Sequence, residues 1–154
     1  MNYNQQSSSA PLNIIFVILA GLVLPLILIP LLKMTGYAEV IEEISKVLIV
    51  LFFILNPVRN SISNGVKLPS YKMQIFVGIA FGLLFGLSES IFYMNNIFQL
   101  GNFGVFWQRL LWTVPMHIVT TLIILLPALV NKWLIILGLA GSIAVHLLFN
   151  NFVA

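Results

Sequence analysis

The 154-residue chain contains no cysteine and no aspartate, and charged residues of any kind make up only 7% of it. Without cysteine there is no disulfide framework, no thiol nucleophile and no thiolate metal site. Without aspartate there is neither a Ser–His–Asp set nor an aspartate pair for aspartyl proteolysis. The H-E-x-x-H signature of helical zinc proteases is also missing. Seven basic residues against four acidic ones leave a net charge of +3. The basic residues stand singly and form no cluster, so they do not describe a nucleic-acid interface. They read as determinants of orientation in a membrane.

What the chain does have is hydrocarbon. Hydrophobic residues make up 60% of it, the mean hydropathy is +1.08, and a soluble domain of this length is excluded. Five apolar runs follow one another, at about 12–32, 39–57, 73–95, 106–130 and 132–153. They do not alternate as barrel strands would, and in lipid only a helix satisfies its own backbone. The expected fold is therefore all-α: a polytopic membrane helix bundle of about five transmembrane helices, forming a single integral membrane domain. The polar tail 1–11 has no basic residue, and the run behind it is too long for a signal h-region, so it reads as a retained span, bent at Pro25 and Pro30. Residues 56–72, rich in Pro, Ser, Asn and Gly, read as a surface loop. With five spans, Arg59, Lys67, Lys72 and Lys132 share one side and Lys33 and Arg109 the other, which favours the first side as cytoplasmic.

The few ionisable residues can be placed in depth from the rise of about 1.5 Å per helical residue. Glu42 and Glu43 lie about one turn inside the second span. Glu89 lies roughly 24 Å along the third, His146 roughly 21 Å along the fifth, and His117 roughly 10–16 Å into the fourth from the opposite direction. Four helices thus bring ionisable groups into one layer of the bilayer. Each such group opposes insertion unless it meets a partner or a watery cavity, so a polar site between helices is expected. Structural readings stand beside it. Glu42 and Lys46, spaced i, i+4, can neutralise each other. Glu39 suits a helix N-terminus at the interface. Glu89 can find Arg109 or a histidine. Asn150, one turn beyond His146, can act as interhelical glue. Gly78, Gly82 and Gly86 read as a close-packing seam, and Trp107, Trp112 and Trp133 as interfacial anchors.

The motifs EEISK (42–46), FGLSE (85–89), Arg109 followed by PMH (115–117), and HLLFN (146–150) occur in this order, one per helix. Together they resemble the PrsW family of intramembrane proteases, within the glutamate-dependent superfamily that includes the CAAX prenyl endopeptidases. The resemblance covers about residues 38 to 151; Ser90 stands where the family commonly has asparagine. It implies an intramembrane endopeptidase acting on a membrane-protein substrate, most simply a single-span protein such as an anti-sigma factor, in a bacterial or archaeal cytoplasmic membrane. By resemblance Glu42 is the general base, Glu43 orients the water or holds local structure, and Lys46 completes the motif. Glu89 stands where the prenyl endopeptidases position the water with a histidine, and there it could share a proton with Glu42. His146 and Asn150 donate to the oxyanion, with His117 and Arg109 in support. No cofactor is required on this reading. Two other chemistries remain open: a proton or ion pathway through the buried Glu and His residues, and a zinc-dependent hydrolase using His117, His146 and a glutamate. A non-catalytic scaffold is the residual possibility.

Overall fold

The structure, a computed structural model, describes residues 9–32, 36–55, 70–99 and 103–153. It is an all-α bundle with no strand among those residues. Helix α1 spans Ser9–Leu32, and α2 spans Ala38–Ile49 and continues as a π-helical segment, Val50–Leu55. Then come α3 (Tyr71–Gln99), α4 (Phe103–Val130), a 3₁₀ turn (Lys132–Leu134) and α5 (Ile135–Val153). The expected loop at 56–72 falls outside the described residues as far as 69, and so do Lys33, Arg59 and Lys67. Its last two residues, Tyr71 and Lys72, already belong to α3.

Among the described residues, three helices are long and apolar enough to cross a membrane: Tyr71–Met94, Phe103–Val130 and Lys132–Phe152. They mark the chain as a membrane protein. Helix α1 carries the apolar stretch Ile14–Pro30 among the described residues, within a helix of 24 residues, and α2 carries Glu39, Glu42, Glu43 and Lys46 within its 12 residues. Proline does not end these helices. Pro25 and Pro30 lie inside α1, and Pro115 and Pro127 inside α4. In lipid a released carbonyl has no water to turn to, so continuing the helix around the proline is the cheaper solution. One turn does need a special residue: Gly36, at φ 70°, takes the left-handed conformation just before α2.

Helix α3 is the spine, packed on α4 along one side and on α1 along another, while α5 lies on α4 and α2 bridges α5 and α1. The glycine seam sets the spacing of α3 and α4. A Cβ on Gly82 would stand 2.7 Å from the His117 carbonyl oxygen and 2.8 Å from Ile118 Cα. On Gly86 it would stand 2.8 Å from Val114 Cα. Gly138 performs the same task between α5 and α4, 2.7 Å from the Ile123 carbonyl oxygen. Backbone therefore meets backbone on both faces of α4, as small residues permit in membrane bundles.

The interior divides into two halves. One is apolar, built on Val50, Phe81, Phe85, Ile124 and Leu125, all fully buried. The other is polar and collects Glu43, Lys46, His117, Thr120 and Thr121, also fully buried. Phe85 lies on the boundary, its ring 4.9 Å from that of His117.

Candidate functional site

The polar half is organised around one ammonium group. Lys46 Nζ lies 2.6 Å from Glu43 Oε1, 2.8 Å from Thr120 Oγ1 and 2.9 Å from His117 Nδ1. It also stands 5.0 Å from the centre of the Phe85 ring. An ammonium offers three donors and no acceptor, and all three are used. The expectation that Lys46 neutralises Glu42 is therefore corrected: its partner is Glu43, three residues back. Helical rotation alone does not make this choice, since Glu42 and Glu43 lie about 40° and 60° to either side of Lys46; the acceptors packed against α2 make it. Glu43 and Lys46 point in between α4 and α5, while Glu42 enters the same buried cluster from one side, its Oε2 facing His146 Nε2.

The contacts also assign the histidine tautomers. His117 Nδ1 can only accept from Lys46, so a neutral ring carries its hydrogen on Nε2, which donates to Glu89 Oε2. Of the two partners foreseen for Glu89, it is the histidine that meets it. His146 has the opposite arrangement. Its Nδ1 lies 2.8 Å from Glu43 Oε1 and donates to that carboxylate, which leaves the Nε2 lone pair free. This lone pair stands 3.9 Å from Glu42 Oε2. Glu42 Oε2 is buried and accepts no hydrogen bond among the described residues, and the same is true of Glu43 Oε2. The two imidazole rings are 5.4 Å apart and nearly perpendicular.

Five of the expected residues thus come together on four helices: Glu42 and Glu43 from α2, Glu89 from α3, His117 from α4 and His146 from α5, with Lys46 at their centre. Two do not join them. The Asn150 amide donates to Glu39 Oε1 at 2.8 Å, one helical turn outside the cluster. Asn150 shares a face with His146 but lies about 6 Å farther along the axis, level with the first turn of α2. Arg109 stacks over the Tyr93 ring at 4.6 Å, nearer the membrane face. Glu39, expected only at the interface, is thus a structural partner of α5.

Threonines missing from the sequence expectations complete the site. Thr120 accepts from Lys46, and Thr121 donates to the His117 carbonyl at 2.8 Å, on the stretch of α4 pressed against Gly82. The signal was present: Thr113, His117, Thr120 and Thr121 recur at helical spacing along one face of an otherwise apolar helix. Buried Gln74 donates at 3.1 Å to the Ile54 carbonyl within the π segment, where the ordinary helical bonding pattern is broken.

One carboxylate oxygen and two imidazole nitrogens, from Glu42, His117 and His146, lie within 4.8 Å of one another and could hold a metal ion. Comparison with protein-family models, with curated proteins and with solved structures finds no match for this chain.

Proposed function

We propose that the Glu/His cluster is the hydrolytic centre of an intramembrane endopeptidase of the PrsW type, acting on a membrane-protein substrate, most simply a single-span one. The observation that carries this reading is the facing pair of Glu42 Oε2 and His146 Nε2. Two buried acceptors 3.9 Å apart are spaced to hold both hydrogens of one water. In that position Glu42 takes the proton as the water oxygen attacks the scissile carbonyl. It then returns the proton to the departing amine as the C–N bond breaks, which balances the step. Glu43 accepts from His146 Nδ1 and so keeps the Nε2 lone pair turned toward the water. Glu89 fixes His117 in the same way. Lys46 supplies fixed positive charge beside the centre, where a developing oxyanion is stabilised most in a low dielectric. The substrate expectation, an anti-sigma factor or similar protein in a bacterial or archaeal cytoplasmic membrane, rests on the motif resemblance alone.

A second reading is favoured by one observation, the donor set of Glu42, His117 and His146. Two histidines and a glutamate suit zinc, and the Glu43–His146 bond is the kind of outer contact that orients a ligating imidazole. To join such a set, His117 would give up one of its two present bonds, to Lys46 or to Glu89. A divalent cation there would supply an acidified water.

Cleavage of a panel of tagged single-span membrane proteins by purified, reconstituted protein tests both readings. Glu42→Gln is expected to lower cleavage about 10²–10⁴-fold, the usual contribution of a general base. Activity that is insensitive to a strong zinc chelator supports the metal-free reading, and loss that zinc restores supports the other. A folded protein that cleaves nothing across a broad panel overturns both.

A further inference from the structure

Arg109 takes no part in the cluster, and its surroundings point to a different ligand. It stands six positions beyond Phe103, the first residue of α4, so it lies roughly 9 Å from that end. A 28-residue helix is roughly 42 Å long and exceeds a hydrocarbon core of about 30 Å by about 6 Å at each end. The Arg109 backbone is therefore about one turn or less below the headgroup boundary. Helical side chains tilt toward the N-terminus, which on α4 is the nearer membrane face, so the guanidinium rises toward the headgroups. Tyr93 on α3 stands six residues before the end of its own 29-residue helix and gives the same depth independently. The neighbouring Trp107, Leu111 and Trp112 are exposed on the outside of the bundle.

At this depth the guanidinium calls for an anion, and among the described residues none pairs with it. All four acidic residues of the sequence lie in the described part. Glu39 is engaged by Asn150, Glu43 by Lys46 and His146, and Glu89 by His117. Glu42 faces His146. Among the described residues Arg109 forms no ion pair with any of them; the stack on Tyr93 is its one charge-related contact. Stacking fixes the plane of the guanidinium and leaves its N–H edges free for a planar, two-pronged bond to an oxyanion.

We propose that Arg109, held by Tyr93, is a phosphate-binding site for a phospholipid headgroup at the membrane-face end of α3 and α4. The headgroup layer is the abundant source of phosphodiester oxygens at this depth, and the exposed Trp112 one turn away completes a lipid-facing surface. The site does not depend on what the Glu/His cluster does.

Tryptophan quenching by brominated phosphatidylglycerol, diluted into bilayers of a phosphate-free galactolipid, tests this without any assay of activity. Trp107 and Trp112 flank the site. A Trp133→Phe background removes the tryptophan at the opposite end of α4. The wild-type site is expected to enrich the brominated lipid about fivefold over its share of the bilayer, the scale of one basic residue at an anionic surface. Arg109→Gln should return quenching to the random level, and Arg109→Lys should fall between, because a lysine binds phosphate as a point charge. Lys72→Gln removes the same charge at the far end of α3 and should behave as wild type, which separates a site from net charge. Equal quenching in wild type and Arg109→Gln overturns the proposal, as does a loss in Lys72→Gln matching that in Arg109→Gln. Displacement of the brominated lipid by millimolar inorganic phosphate in the buffer would assign the site to a soluble anion and overturn the lipid assignment. Circular dichroism of each variant verifies that the helices persist.

Discussion

Lys46 has no exposed surface, and each of its three donors is matched to an acceptor on one of two helices. Removing the ammonium would leave Glu43 buried with His146 as its one remaining partner. Lys46→Met is accordingly expected to destabilise the reconstituted protein by about 3–5 kcal/mol, the scale for breaking a buried ion pair from one side. Adding Glu43→Gln should recover part of that loss, because it removes the stranded charge. Equilibrium unfolding in mixed micelles measures both. A finer test concerns Thr120, whose hydroxyl accepts from Lys46 at 2.8 Å. Thr120→Val conserves shape and should cost about 1.5–3 kcal/mol, while Thr120→Ser should cost much less. Equal losses would mean that the hydroxyl contributes nothing to holding the ammonium. Much of this layer was legible in the sequence, because the rise per residue is fixed and depth follows from counting. Rotation about each helix axis was not. Glu42 and Glu43 are neighbours in depth but point about 100° apart, and only the packed neighbours decide that Lys46 turns to Glu43. Asn150 shows the same limit: sharing a face with His146 did not place it in the cluster, because a single turn carried it level with Glu39.

Among the elements, the contact of α3 with α4 decides whether Glu89 reaches His117. Gly86 lies one turn before Ser90 and within reach of the His117 ring, whose Cδ2 would stand 3.2 Å from an added Cβ. Gly86→Ala would also press on Val114 Cα at 2.8 Å, and backbone cannot rotate aside. It is expected to destabilise by about 1–3 kcal/mol, as overpacking does, and to lower any cleavage activity by separating Glu89 from His117. Gly141→Ala is the milder comparison, since its added Cβ meets only the Ile123 side chain, at 3.2 Å. Thermal unfolding of the two variants side by side checks the ranking; reversed order would mean that the seam yields more easily than its geometry indicates. The glycine repeat announced close packing in the sequence. It did not identify α4 as the partner, because a small-residue stripe states how near a helix can come but not which helix comes. Gly138 packs equally close, and with Ser142 four residues on it carries a fainter form of the same small-residue spacing.

At the scale of the whole molecule, α3, α4 and α5 run alternately up and down, joined by short connections. The starts of α3 and α5 therefore belong to one membrane face and the ends of both to the other. The natural absence of cysteine makes this directly readable. Single cysteines at Tyr71 and Lys132 should react with an impermeant maleimide from one side of sealed vesicles, and cysteines at Phe103 and Phe152 from the opposite side. Labelling of Tyr71 and Phe103 from the same side would contradict the arrangement of α3 and α4. The bundle class was readable from hydropathy, since the long apolar helices carry it. The second span was less so: its apolar half continues as a π segment, and its polar half depends on three other helices.

That dependence bears on the birth of the protein. On translocon scales a charged residue near a helix centre costs about 2.5–3.5 kcal/mol, and an aliphatic or phenylalanine residue contributes only about 0.3–0.6 kcal/mol in favour. Charges near a helix end cost less than that, yet the apolar residues of this span still have Glu42, Glu43 and Lys46 set against them. Thr120, His117 and His146, which make those charges acceptable, leave the ribosome some 70 to 100 residues later, as the separations of 71, 74 and 103 positions between partners record. Helix α2 is thus made before the partners that make its charges acceptable, and its final seating is expected only once the C-terminal helices arrive.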